Sequence, residues 1–289
     1  MEKREKVAFH AIKVALFWNI ILALTKVLLG IFAQSIALIG DGIDTSVDVV
    51  KNLIALRGIK IAAIPPDKEH PYGHGRAETI SSSIIGVSVI FAGILVAMEA
   101  INRFGETNTI DTLMFIGAGI SIIGKIFLSS YMYIVGKRIL SNLLIANAKD
   151  YFGDIISSLA VLVGAFLIHI TGKVYFDSIA SLAVASIIIY IGAGILKPEL
   201  NEIMEKQDNP EIIKKVKETV SGFQFVYNPH KIRVRKLGTY YIVDMHLEFP
   251  KDMSVKEAHK IATSIEDKIK KEINSVEEVI VHIEPRSSE

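Results

Sequence analysis

The chain contains no cysteine, which excludes disulfides and thiolate metal ligands. Any metal it holds must sit on oxygen and imidazole. Net charge is small, +1 at pH 7, so no bulk attraction to nucleic acid is expected. There is no His-Glu-x-x-His run and no histidine deep in an apolar stretch. A membrane metalloenzyme needs a metal-activated water and a general base, so no enzymatic activity is expected. Low-complexity segments and short-period repeats are also missing. The first residues, "MEKREKVAFHAIKVALFW", are basic but run on without a small-residue cleavage site, so they read as a first membrane segment rather than a removable signal.

What is abundant is apolar sequence. Hydrophobic residues make up 51% of the 289 positions, and mean hydropathy is +0.41, high for a soluble chain. Six apolar segments reach the roughly 20 residues a bilayer span needs: 8–32, 37–62, 79–103, 111–135, 143–169 and 177–196. About half of the charged residues fall after residue 199. This shift predicts a transmembrane domain over 1–199 and a soluble domain over 200–289. Basic residues cluster at the N-terminus and after the second, fourth and sixth segments (Arg57, Lys68, Arg76, Lys137, Arg138, Lys197), whereas Arg103 and Lys173 are the main ones on the other side. The positive-inside rule then puts both termini in the cytoplasm. In the tail, Tyr241, Val243, Met245, Leu247 and Phe249 alternate with Asp244, His246 and Glu248. Leu237-Gly238 reads as a hairpin turn. Ser254-x-x-Glu257 reads as a capping box opening a helix with an apolar stripe of Val255, Ala258, Ala262, Ile265 and Ile269. The expected fold is a six-helix membrane bundle followed by a small ferredoxin-like αββαβ domain.

The apolar segments contain misplaced charges. Asp44 and Asp48 lie in the second, Asp150 and Asp154 in the fifth, each pair four residues apart and so on one helix face. An ionised group at membrane depth costs roughly 2.5–3.5 kcal/mol on insertion scales. Four of them require compensation, and a divalent cation held between the two segments supplies it. Pairing with Lys26, Lys51 or the deeper Lys125 is the alternative. All-carboxylate ligands favour hard cations such as Mn²⁺, Mg²⁺ or Fe²⁺, while imidazole favours Zn²⁺. Four carboxylates around one divalent ion leave excess negative charge, which protons can neutralise as the ion departs, as an antiporter requires.

The eight histidines add two further patterns. Asp67, His70 and His74 form a possible metal clip in "PPDKEHPYGHGRAE", between the second and third segments. His230, His246, His259 and His282, with Glu284, gather in the tail. Together these motifs resemble the cation diffusion facilitator family across nearly the whole chain. "HPYGHGRAE" looks like its signature and "SIALIGDGIDTSVDVV" is similar to its second-span motif. The resemblance implies a transport site at Asp44, Asp48, Asp150 and Asp154, a loop site at Asp67, His70 and His74, and a cytoplasmic-domain site at His230, His246, His282 and Glu284 with His259 nearby. It further implies a homodimer in the inner (cell) membrane, protons as counter-substrate, and an interlocking charge pair of Arg76 and Glu205. Zinc-transporting members carry His-x-x-x-Asp in the fifth span. Asp150-x-x-x-Asp154 instead resembles the manganese exporters. The expected function is therefore Mn²⁺/proton antiport. The alternatives are Zn²⁺, Fe²⁺, Co²⁺ or Cd²⁺ efflux by the same route, or a membrane-anchored metal sensor without transport.

Overall fold

Long runs of Leu, Ile, Val and Ala give six long helices: α1 (Lys3–Phe32), α2 (Ile36–Ala62), α3 (Arg76–Asn102), α4 (Thr112–Ile139), α5 (Asn142–Thr171) and α6 (Tyr175–Ile203). This computed structural model describes residues 3–32, 36–102, 104, 112–171, 175–207, 209–238 and 240–286. At 1.5 Å rise per residue each helix is about 40 Å long, enough to cross the ~30 Å hydrocarbon core. Among the described residues, four stretches combine that length with low charge: Arg4–Phe32, Arg76–Asn102, Gly119–Ile139 and Ser178–Ile203. Helices α2 and α5 are as long, and carry Asp44, Asp48 and Lys51 in one and Lys149, Asp150 and Asp154 in the other.

The chain divides into two compact units, Met1–Leu200 and Asn201–Glu289. The first buries polar side chains alongside its apolar core. On α2, Thr45, Asp48 and Asn52 are buried at helical spacing, while Ile43, Val47, Val50 and Leu53 are exposed. That inversion suits a lipid surround. Small residues on α1 (Ala8, Ala11, Ala15) pack into a core with Ala55 and Ile59 of α2, Leu128 and Met132 of α4, and Leu143, Leu144 and Tyr151 of α5. Helices α3 and α6 touch at glycine: a Cβ on Gly192 would lie 2.8 Å from the Ile90 backbone nitrogen. The sixth segment does not stop at 196. Helix α6 runs through Pro198. Proline lacks the N–H that would bond the Gly194 carbonyl, and Lys149 Nζ donates to that carbonyl instead, at 2.9 Å.

The second unit contains α7 (Pro210–Ser221), β1 (Tyr227–Leu237), β2 (Tyr240–Phe249), α8 (Val255–Glu272) and β3 (Val276–Pro285). The sheet order is β1-β2-β3, with β1 antiparallel and β3 parallel to β2. Gly238 adopts φ 62° at the hairpin, where a side chain would be strained. The capping box forms as expected, with Ser254 accepting from the Glu257 amide. Tyr241, Val243, Met245, Leu247 and Phe249 pack with Ala258, Ile265 and Ile269 of α8 and Val216 of α7. Two details differ from the sequence reading. Val255, at the first helical position, is 79% exposed, so the apolar stripe begins at Ala258. Glu248, expected on the solvent side, is buried because β2 is the central strand, and Asn228 Nδ2 donates to it at 2.8 Å.

Candidate metal centres

Carboxylates from two helices converge in the membrane unit. Asp48 of α2 with Asp150 and Asp154 of α5 each present an oxygen within 4.8 Å of the others. The i,i+4 spacing of α5 puts its two acids on one face, and that face meets α2. Asp44 lies outside this cluster. It sits a turn earlier on α2, about 6 Å along the axis, with an exposed side chain. Two lysines join the cluster. Lys51 Nζ, three residues after Asp48, lies 2.8 Å from Asp48 Oδ1 and 2.7 Å from Asp150 Oδ2. Lys125 Nζ of α4 lies 2.8 Å from Asp48 Oδ2 and 2.5 Å from Asp154 Oδ2. The ion pairing raised as an alternative is thus present at the same oxygens. Three carboxylates against two ammoniums form a built acidic site with its counter-charges in place.

Beside it runs a buried polar chain that the sequence reading missed. Asn19 Nδ2 of α1 donates to Tyr151 Oη at 3.0 Å, and Tyr151 donates to Asn52 Oδ1 of α2 at 3.0 Å. Tyr151 follows Asp150 and Asn52 follows Lys51, so the chain braces the backbone that carries the cluster. Its signal in sequence was Asn52, one turn beyond Asp48 on the same face.

The loop between α2 and α3 is folded around Asp67. Its Oδ1 accepts from the backbone amides of Glu69 (2.9 Å) and His70 (2.7 Å). Those bonds, the His70 amide foremost, hold its carboxyl below the ordinary aspartate range. His70 Nδ1 and His74 Nε2 each lie 3.6 Å from an Asp67 oxygen, with the rings 4.3 Å apart. The three therefore converge as a candidate clip. Gly73, at φ 79°, makes the turn between the histidines.

In the second unit, adjacent strands bring histidines into one row. His230 pairs in register with His246, and His246 with His282. Glu284 closes the group, with Oε1 accepting from His246 Nδ1 at 2.7 Å and Oε2 lying 3.3 Å from His230 Nε2. That hydrogen bond, foremost, holds the Glu284 carboxyl below the usual glutamate range. Register shifts in β1 flank His230, and Asn228 and Lys231 take φ of 41° and 47°. Bulges of this kind re-aim a side chain. His230 Nδ1 lies 2.8 Å from the Asn228 carbonyl, which can only accept, so Nδ1 carries the proton. Its Nε2 then faces a carboxylate, an arrangement that calls for a proton or a metal cation between them. His282 is more exposed, 3.7 Å from Glu284. His259 is not part of the group. Helix α8 covers the Val243 face of the sheet, whereas His246 points from the opposite face, so the sheet lies between them. Glu205 lies 4.0 Å from Arg235 within this unit, and Arg76 opens α3.

Residues 12–204 match the family described as the cation efflux transmembrane domain, and residues 209–286 match the cation efflux protein cytoplasmic domain. The manganese efflux system protein MneP of Bacillus subtilis is 34% identical over 98% of each chain. MneS of the same organism is 27% identical over 92% of this chain and 91% of its own. The metal-bound C-terminal domain of the CzcD transporter from Thermotoga maritima is 32% identical over 28% of this chain and 93% of that one, with a TM-score of 0.27. Six long helices among the described residues, with carboxylates converging from two of them, followed by an αββαβ domain and matched along nearly the whole length, make this chain a membrane protein of the cation efflux, or cation diffusion facilitator, family of metal transporters.

Proposed function

We propose that the chain is a divalent cation/proton antiporter that exports Mn²⁺ from the cytoplasm. The observation that carries this reading is the convergence of Asp48, Asp150 and Asp154 with no imidazole among the three. A set of hard oxygen donors favours Mn²⁺ or Fe²⁺ over Zn²⁺. The likeness to MneP and MneS, both manganese efflux system proteins, supports the same choice. Asp44 joins the site in this reading, supplying a fourth oxygen as α2 turns or bends. Zn²⁺, Fe²⁺, Co²⁺ and Cd²⁺ are its competitors for the same route.

In this reading α2 and α5 also cross the bilayer, within a transport domain of residues 1–199. The protein sits in the cell membrane with both termini in the cytoplasm. Protons replace the cation on the return step and limit the negative charge left on the carboxylates. Residues 200–289 act as a cytoplasmic metal-binding and dimerisation domain through His230, His246, His282 and Glu284. The loop site of Asp67, His70 and His74 offers the cation a first contact on the cytoplasmic side. Arg76 and Glu205 lock the homodimer. The direct test is Mn²⁺ uptake into proteoliposomes with an imposed proton gradient. Asp154→Ala is expected to abolish flux while the protein remains monodisperse. Wild-type flux from that variant overturns the reading, and cation binding by the wild type with no flux favours a membrane-anchored sensor.

A further inference from the structure

Each carboxylate of the cluster has at least one oxygen bonded to lysine. Both oxygens of Asp150 accept from Lys51 Nζ, at 2.9 and 2.7 Å. Asp48 gives Oδ1 to Lys51 and Oδ2 to Lys125. Asp154 gives Oδ2 to Lys125. The two ammoniums also come from different helices, α2 and α4, and each bridges α2 to α5. Neither side chain exceeds 13% exposure, so water screens these contacts poorly. We propose that Lys51 and Lys125 are tethered competitors of the transported cation: binding of the ion exchanges lysine contacts for metal contacts, and release reverses the exchange. This rests on the proposed cation site at Asp48, Asp150 and Asp154.

The physical case is one of shared lone pairs and like charge. A divalent first-row cation binds carboxylate oxygen at about 2.0–2.2 Å. An ammonium already within hydrogen-bonding distance of that oxygen would then sit against a doubly charged ion in a medium of low dielectric constant. The lysine must withdraw. It can, because its charge rides on a flexible four-carbon stem. Competition of this kind gives a transporter two things. It weakens a site that three carboxylates alone would make too retentive. It also keeps acids from α2 and α5 from repelling one another as the ion leaves. A purely structural ion pair would do the second and not the first, and that difference is measurable.

The experiment uses the full-length protein in proteoliposomes, with Mn²⁺ as the probe and Lys125→Met and Lys125→Arg as the variants. Removing the competitor is expected to lower KM by about tenfold and to lower the maximal rate as well, because release slows. Arginine forms a stronger forked pair with carboxylate and competes harder, so Lys125→Arg is expected to raise KM. A KM order of Met below Lys below Arg supports the proposal. An unchanged or raised KM in Lys125→Met overturns it. If that variant is too unstable to reconstitute, thermal unfolding in detergent answers the same question. A larger stabilisation by Mn²⁺ in Lys125→Met than in wild type supports the proposal, and an equal or smaller one overturns it. Failure of the underlying site looks different: a wild type that moves no Mn²⁺, or unaltered flux in Asp154→Ala, removes the site and the lysine role with it. Normal wild-type flux with unchanged KM in both lysine variants leaves the site standing and removes the lysine role alone.

Discussion

In the proposed reading, Asp150 sets which ion the membrane site prefers. It contributes both carboxylate oxygens to the cluster, and an imidazole there would convert a hard donor set to one that suits Zn²⁺. Asp150→His is therefore expected to raise Zn²⁺ flux relative to Mn²⁺, read by competition between the two ions. Glu284 makes a prediction of a different kind. Its folded-state pKa lies below the ordinary glutamate value of 4.5, chiefly through the His246 hydrogen bond. A lowered pKa means that the folded state favours the charged form. The associated stability is present above pH 4.5 and is lost as pH falls through the folded value. Glu284→Gln is expected to flatten the loss of thermal stability below that pH, as measured by unfolding midpoint against pH. An unaltered acid limb would contradict it. Asp48, Asp150 and Asp154 were legible in the sequence because charge in an apolar run is costly and needs a reason. His259 was not, because family likeness puts it near the tail site, and only the packed face of α8 shows that the sheet intervenes.

The helices owe their relative positions to a few polar ties as well as to small-residue packing. The Asn19–Tyr151–Asn52 chain joins α1, α5 and α2 beside the carboxylates. Tyr151→Phe keeps the ring and removes the hydroxyl, leaving both asparagines short of a partner. Loss of about 1–3 kcal/mol is expected, seen as a lower unfolding midpoint in detergent. In the second unit, Ile265 is fully buried between α8 and the sheet. Ile265→Ala is expected to cost about 2–5 kcal/mol by chemical denaturation. The element boundaries were mostly legible from apolar length and strand alternation. Two features were not. Helix α6 passes through Pro198 because Lys149 takes over the orphaned Gly194 carbonyl, a partner 45 residues away that local sequence does not reveal. The bulges around His230 place Asn228 and Lys231 at positive φ without any glycine to mark them.

The protein as a whole combines a membrane unit whose polar residues point inward with a domain whose histidines form a row across three strands. Length, hydropathy and the shift in charge after residue 199 were enough to expect that combination. Which lysine meets which carboxylate oxygen was not, since Lys125 and Asp48 are 77 residues apart and meet only when α2, α4 and α5 pack together. In the proposed reading this packing makes a Mn²⁺-selective export site. Competition flux with Mn²⁺, Fe²⁺, Zn²⁺ and Mg²⁺ on the purified protein in vesicles tests it most directly. Mn²⁺ should be the strongest competitor, and Asp150→His should shift that preference toward Zn²⁺. A wild type that prefers Zn²⁺, with the preference unchanged in Asp150→His, would contradict the account.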